Sequence, residues 1–463
     1  MADTTEEARK ERAPEEAERA LALVILWARE PGRLGETMFV DRPASLGRGP
    51  AAEDDVKRLV PVRQRPGSNE PRAPFASTTM SREQLVVEPD GNRIRMTNRG
   101  RRQLFDARGT ASTSLVVTPG DVVEVEDEVV LMAVERPRLW PKATPGADYP
   151  SPEFAEPDVL GIVGESESAW ALRGAVAFLA ARAAHVLLLG PSGSGKELVA
   201  QGIHALSSRG KKKLVSRNAA TFVDTLVDAE LFGTAANFPN QGMPERIGLV
   251  GEAEGSTLFF DEIGDLPEAL QTRLLRLLDP GADYQRLGDP RKRTAQFRFI
   301  GATHRPLASL RPDVAARLKL QLTVPGLDER REDVPLIARA VMKRIAREDP
   351  AIGARFCEPE PRLSPALVRA LSSRTYTTHV RELEALLWRA ITSAKGDTLD
   401  VTPELASALA VARPRAEEIS REDVVAALER AGGVRERAWR ELGLANRHVL
   451  KRLLKKHGID DTD

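Results

Sequence analysis

The chain has 463 residues, 41% hydrophobic and 29% charged, an apolar content sufficient for about three buried domains. Sixty-eight Lys and Arg balance 68 Asp and Glu, which excludes a global field toward nucleic acid, so any such contact requires a local patch. The single cysteine, Cys357, excludes an internal disulfide and points to a reducing, cytoplasmic setting.

Residues 1–20 are charged, lack the apolar segment of a signal peptide, and are expected to form a disordered arm. LALVILWA (21–28) is too short to span a bilayer, and no membrane partner is expected. Across 21–136, short β-rich runs such as ETMFV, EQLVVEP and DVVEVEDEVVLMAV alternate with turns at Pro89-Asp90-Gly91 and Pro119-Gly120-Asp121. That pattern predicts a β-sandwich, interrupted over roughly 50–77 by a polar surface loop. Six prolines within 137–158 predict an extended, semi-rigid spacer. From 159 to 330, helical stretches alternate with the buried runs HVLLLG, STLFFDE and FRFIGAT, the signature of a parallel α/β sheet. Residues 331–395 are expected to be purely helical, 396–416 to be a second linker, and 417–463 to be a small all-α module.

Two motifs in the α/β block carry chemistry. Gly190-Pro191-Ser192-Gly193-Ser194-Gly195-Lys196 fits GxxxxGK between an apolar strand and an amphipathic helix. Glycines let backbone N–H groups wrap phosphates, the helix N-terminus adds positive dipole, and Lys196 reaches the β- and γ-phosphates. Glu197 stands where a magnesium-binding Ser or Thr is usual. GSTLFFDEIGDLP then sets Asp261 at the C-terminal end of a buried strand, suited to hold Mg²⁺, with Glu262 beside it to orient attacking water. Together the motifs indicate ATP hydrolysis, with ATP and Mg²⁺ as cofactors.

Residues from about 160 to 395 resemble the AAA+ domain of bacterial enhancer-binding proteins, the activators of sigma-54 RNA polymerase. The resemblance rests on Gly164-Glu165-Ser166, GPSGSGKELVAQGIH with the same Glu197, ELFG (230–233), GSTLFFDEIGDLP, GATHRP (301–306), LDERREDVPLI (327–337) and VRELE (380–384). It implies a P-loop AAA+ domain with a helical lid and a homo-oligomeric ring, a hexamer in this family. It further implies that Asn218 switches Glu262 between engaged and idle states, and that Thr303 and His304 form sensor I. By the same resemblance Arg311 and Arg317 are arginine fingers reaching a neighbour's ATP, and Arg381 is sensor II. The lid departs from the family pattern at TYTTHVREL, where YPWPGNVREL is usual.

The family touches sigma-54 through a loop carrying GAFTGA. Thr234–Arg246, TAANFPNQGMPER, aligns without a gap with HEKGAFTGAVERR, so Asn237, Phe238, Pro239, Asn240, Gln241 and Gly242 fall on GAFTGA itself. Length is kept while the tip chemistry changes, and Pro239 fixes φ and removes a donor.

The tail resembles a Fis-type helix-turn-helix, with breaks at Gly432-Gly433 and Gly443. Residues 435–457 hold eight Lys and Arg against two Glu, an electrostatic footprint for double-stranded DNA. A recognition helix beginning near Ala445 would offer Asn446, Arg447 and His448 to base edges, and Lys451, Arg452, Lys455 and Lys456 to the backbone. The head resembles a forkhead-associated domain through Leu46-Gly47-Arg48, Ser81-Arg82 and Thr97-Asn98-Arg99-Gly100, which implies a phosphothreonine protein gripped by Arg48, Ser81 and Arg82. It departs from that family at Gln84, where a histidine is usual. Two functions stay open at this point: an ATP-driven activator that remodels RNA polymerase with sigma-54, and a regulator at other promoters that uses ATP as an assembly switch.

Overall fold

The computed structural model describes residues 18–459 apart from 31, 51–56, 142–148, 224, 280–282, 410–419, 431–434, 436–437, 440–441, 443 and 445–446. It divides into two compact units, Met1–Thr402 and Pro403–Asp463.

The head is built on a long antiparallel pair, β1 (Arg19–Ala28) and β12 (Val129–Pro137), whose apolar runs keep one ladder from Arg19↔Pro137 to Ala28↔Val129. Around it lie β2 (Thr37–Phe39), β4 (Val62–Arg65), β5 (Ser68–Pro71), β8 (Leu104–Phe105), β9 (Ala111–Ser112) and β11 (Val122–Val125). Their sheet runs β5-β4-β2-β1-β12-β11-β8-β9. A second antiparallel sheet, β10-β7-β6-β3, comprises β3 (Ala44–Leu46), β6 (Leu85–Asp90), β7 (Arg93–Asn98) and β10 (Ser114–Val117). Leu23, Ile25 and Leu131 from the first sheet meet Leu46, Val87, Ile94 and Met96 from the second in one shared core. The expected surface loop at 50–77 is corrected in part. Val62–Pro71 forms a hairpin, and Gln64, 1% exposed, donates to Pro137 O at 2.8 Å, so a polar run adds strands by satisfying backbone rather than by burying apolar area.

The motor core is a five-stranded parallel sheet, ordered β14-β17-β20-β13-β21. Its strands are β13 (Val186–Leu189), β14 (Val215–Asn218), β17 (Thr257–Asp261), β20 (Arg298–Thr303) and β21 (Leu320–Thr323). Alternate residues face opposite layers: Leu187, Leu258, Phe260 and Phe299 pack into one cluster, and Val186, Leu188, Phe259 and Ile300 into the other. Being covered on both sides is why these strands read as continuous apolar runs. Helices α1 (Glu167–Ala180), α2 (Lys196–Ala205), α3 (Val227–Phe232), α4 (Leu249–Glu252), α5 (Glu268–Leu278) and α6 (Pro312–Arg317) complete this layer. Two small hairpins project from it, β15 (Gly233–Thr234) with β16 (Arg246–Ile247), and β18 (Asp283–Tyr284) with β19 (Arg293–Thr294). The lid is α7 (Val334–Glu348), α8 (Pro350–Phe356), α9 (Pro365–Ser372) and α10 (His379–Ser393). Prolines at the first turns of α7, α8 and α9, with the Asp349 and Ser364 side chains capping the last two, start these helices where their N–H groups lack partners.

Within 137–158, Trp140 and Tyr149 tie the segment to its surroundings while Leu139 stays exposed. Trp140 is 4% exposed, and the Tyr149 hydroxyl donates to Asp158 Oδ2 at 2.6 Å. The head accordingly docks on the motor. Trp27 Nε1 donates to Leu363 O at 2.9 Å, and Arg369 of α9 pairs with Glu124 of β11.

The second unit contains α11 (Pro403–Leu409), α12 (Arg421–Arg430) and α13 (Arg447–His457). Val424, Ala438, Leu444, Leu450, Leu453 and Leu454 form its core. Among the described residues no helix is long and apolar enough to cross a membrane.

Candidate nucleotide site and interaction surfaces

β13 delivers the chain into a loop whose Gly190, Gly193 and Gly195 all have positive φ, and α2 begins at Lys196. Gly193 (φ +78°) lies so close to Thr378 O of the lid that a Cβ would overlap it, so only glycine fits. Ser194 Oγ is buried without a hydrogen-bond partner, and Lys196 Nζ donates to the loop's own carbonyls, Gly190 O at 3.0 Å and Pro191 O at 3.2 Å. A glycine cradle, an orphaned hydroxyl and a lysine held only by its own loop suit a ligand rich in anionic oxygen. The loop, with Asp261 and Glu262, lines one side of a cavity of about 670 Å³, and Val341, Arg344 and Arg381 of the lid line the other.

Asp261 ends β17 in register with Asn218 of β14. Burial and the neighbouring Glu262 raise its carboxyl above the usual range, while Lys196 opposes the shift. Such a carboxylate gains from a bound cation. Burial lowers the Lys196 ammonium, with Glu262 and Asp261 acting against that. Glu262 sits at φ +57°, a strained conformation for this residue type, and its Oε2 lies 2.6 Å from His304 Nδ1. Asn218 Oδ1 instead accepts from Ala220 N at 2.9 Å, and among the described residues no hydrogen bond joins Asn218 to Glu262. In this structure the residue that follows β20, His304, meets the glutamate, while Asn218 caps the 3₁₀ segment that follows it. Thr303 is fully buried, its Oγ1 accepting from Arg305 N.

Despite the altered lid sequence, Arg381 Nη1 donates to Ser192 Oγ at 2.9 Å, and Val380 N donates to Gly193 O at 3.2 Å. Arg311 pairs with Asp313 at 2.9 Å and with Glu268 at 3.3 Å; Arg317 pairs with Asp279 at 2.5 Å. Within LDERREDVPLI the sequence motif does not single out Arg330. It is 7% exposed, lines the cavity and donates from Nη2 to Ser194 O at 3.4 Å. The available signal was a run of six charged residues immediately before an apolar helix, more charge than one capping site needs.

Residues 162–322 match the Sigma-54 interaction domain. The transcriptional regulatory protein ZraR of Salmonella typhimurium strain LT2 is 33% identical over 324 residues, 66% of this chain and 71% of that protein. The chain belongs to the family of sigma-54-dependent transcriptional regulators. The response regulator PilR of Pseudomonas aeruginosa is 34% identical over 332 residues, 67% of this chain and 73% of its own length. Among solved structures, NtrX of Brucella abortus in complex with ADP is 29% identical, covering 65% of this chain and 70% of that one with a TM-score of 0.48. The Sigma-54 interaction domain is of the AAA+ ATPase type.

In this sigma-54-family regulator the altered loop is a compact turn. Asn237, at φ +63°, accepts at Oδ1 from Gly242 N at 2.8 Å, and its N–H donates to Met243 O at 2.8 Å. Phe238 is 36% exposed and lies against Gly288 of the second hairpin, where a Cβ would collide with its ring. Ala235 N to Leu287 O, Leu287 N to Gly233 O, and the Arg286–Glu245 ion pair bind the two hairpins together. The one aromatic of the tip is therefore engaged within the chain.

In the head, Arg48 N donates to Ser81 O, and Ser81 Oγ accepts from Arg101 N at 3.1 Å. Gln84 is fully buried: its Oε1 accepts from Ser81 N, and its Nε2 donates to Asn98 Oδ1 and Arg102 O. Gln84 thus ties together the loops that carry Arg48, Ser81 and Arg82. Among the described residues no carboxylate pairs with Arg48, Arg82 or Arg101. In the tail, the backbone of Arg447 and His448 lies on α13, and Lys451, Arg452 and Lys456 are exposed there, opposite buried Leu450, Leu453 and Leu454. Asn446 and the side chains of Arg447, His448 and Lys455 lie outside the described residues, as do Gly432, Gly433 and Gly443.

Proposed function

We propose that this chain is a DNA-bound transcription regulator driven by ATP hydrolysis, with Mg²⁺, in a homo-oligomeric ring. The observation that carries the reading is the convergence of Lys196, the Asp261–Glu262 pair and Arg381 on one cavity between core and lid. In this reading Lys196 and the loop N–H groups hold the phosphates, Asp261 holds Mg²⁺, and Glu262 directs water once released from His304. Arg311 and Arg317 leave their carboxylate partners to neutralise charge on a neighbouring copy's ATP. Lys451 and Arg452 on an exposed basic helix face support phosphate-backbone contact with double-stranded DNA.

A second reading, in which ATP drives assembly at promoters outside sigma-54 control, is favoured by the tip loop alone. The GAFTGA position carries Asn237, Pro239 and Asn240 instead, and its one aromatic, Phe238, lies against Gly288. In that second reading, purified chain is expected to turn over ATP yet form no stable complex with sigma-54 in ATP–aluminium fluoride, as checked by gel filtration. Grafting GAFTGA onto positions 237–242 is expected to restore the complex. A stable wild-type complex would remove this second reading and leave ATP-driven remodelling of RNA polymerase with sigma-54.

The head, in this reading, admits a signal as a phosphothreonine protein. Arg48 and the Ser81 hydroxyl suit a dianion, with Gln84 holding the loops in place of the usual histidine. Replacing Arg48 by Ala is expected to weaken binding to phosphothreonine peptides by about 10- to 100-fold, the worth of one charge-assisted hydrogen bond. Peptide binding unchanged by that substitution, measured by fluorescence anisotropy, would remove Arg48 from the grip.

A further inference from the structure

Arg136 closes β12 of the head, is 2% exposed, and points its guanidinium into the motor. Nη1 donates to Thr37 Oγ1 at 2.9 Å within the head, and Nη2 donates to Glu165 O at 3.4 Å. The same Nη2 lies 2.9 Å from Glu332 Oε2, in the segment leading into α7. The pair thus sets a guanidinium of the head against a carboxylate of the segment leading into the lid. The next residue, Asp333, is 1% exposed and accepts from Glu165 N, Ser166 N and Ser166 Oγ, at 2.8, 3.0 and 2.5 Å. Asp333 also attracts Arg330, whose Nη2 reaches Ser194 O of the phosphate loop.

Four charged side chains therefore connect the last strand of the head to the phosphate loop, all within or beside Arg330–Asp333. We infer that Arg136 is a positioning residue for the nucleotide site: by pairing with Glu332 and donating to Glu165 O it fixes the Arg330–Asp333 segment from which Arg330 reaches Ser194 O. The inference rests on the nucleotide reading above and adds to it a route by which the head sets nucleotide affinity. Its physical basis is the proximity of two buried carboxylates. Burial raises both carboxyls, Asp333 adds to the shift at Glu332, and the Arg136 charge opposes it there. Remove Arg136, and Glu332 becomes a buried acid without a cation beside Asp333. Glu332 then takes up a proton or moves toward solvent, the Arg330–Asp333 segment shifts with it, and the contact of Arg330 with Ser194 O is lost. The Arg369–Glu124 pair docks the head on α9 without touching this chain of charges, so the two roles separate.

The test uses the full chain, titrated with fluorescently labelled ADP and assayed for ATP turnover. Arg136→Gln is expected to raise the ADP Kd and the ATP KM together by about 5- to 10-fold, within the usual range for coupling residues, while kcat stays within about two-fold. Adding Glu332→Gln to that variant removes the uncompensated charge and is expected to return Kd to within about two-fold of wild type, a rescue that lost docking alone would not give. Arg369→Gln is the docking control, expected to leave Kd unchanged. Three results would each overturn the inference: an unchanged Kd in Arg136→Gln, no rescue in the double variant, or an equal rise in Arg369→Gln. Should Arg136→Gln not fold, Arg136→Lys keeps the charge and loses the fork; it is expected to weaken ADP about two- to three-fold, and wild-type affinity there would also overturn the inference. A wild-type chain that binds no ADP would instead sink the nucleotide reading, and that is seen before any variant is made.

Discussion

Replacing Lys196 by Ala is expected to reduce ATP turnover by about 10²- to 10³-fold, the typical cost of removing one preorganised charge from a phosphoryl-transfer site. The ammonium is 6% exposed and fixed by Gly190 O and Pro191 O, so its position is set before any ligand arrives. Its loss acts twice. Phosphate oxygens lose their nearest cation, and Asp261 and Glu262 lose the positive charge that opposes their mutual repulsion. Asp261, already raised by burial, then rises further and binds a divalent cation less well near neutral pH. A coupled-enzyme assay checks this, with circular dichroism confirming the fold. Turnover within ten-fold of wild type would mean that the cavity between core and lid is not where ATP is hydrolysed.

The largest stability effect is expected at Arg173→Ala, a loss of about 3–5 kcal/mol for one half of a buried ion pair. Arg173 of α1 is fully buried; its Nε lies 3.0 Å from Asp158 Oδ2, and its other nitrogens donate to Gly164 O at 2.7 Å and Ile162 O at 3.0 Å. Asp158 Oδ1 in turn accepts from Leu160 N and Ile162 N at 2.9 Å each. One guanidinium and one carboxylate thus satisfy four backbone groups across 160–164, the entry to the α/β core. Truncating the arginine leaves a buried acid without its cation and Gly164 O without its donor, which is why the cost exceeds that of an exposed pair. Arg138 with Asp41, more than a third exposed on both sides, is expected to contribute at most about 1 kcal/mol. Replacing Asp158 and Arg173 together with apolar residues should cost less than Arg173→Ala alone, because no charge is stranded. Urea unfolding monitored by the fluorescence of Trp170, whose ring stacks 4.7 Å from the Arg173 guanidinium, measures both variants. A loss below about 1 kcal/mol in the single variant would refute the accounting.

Much of the candidate site is legible locally, because each motif specifies its own backbone. Gly190, Gly193 and Gly195 are glycines where φ is positive, and LFFD is apolar until the strand reaches the ligand edge. The apolar runs in LALVILWA and DVVEVEDEVVLMAV likewise belong to β1, β11 and β12 themselves. Charged residues behave differently. Arg136, Arg173, Arg330 and Glu332 read as solvated side chains in the sequence, and each is buried or nearly so because its partner comes from elsewhere in the chain. The same holds for Phe238, which composition presents as a free aromatic until Gly288 arrives from the second hairpin.

The sequence by itself determined that this chain carries a phosphate loop, a paired acid at a strand end, a basic tail and a loop without GAFTGA, since those are properties of adjacent residues. Only the tertiary structure decided that His304 meets Glu262, that Trp140 of the proline-rich segment is buried, and that Arg136 of the head pairs with Glu332. Glycine torsions and apolar periods are local, whereas which carboxylate a guanidinium meets is settled only when distant segments are desolvated together.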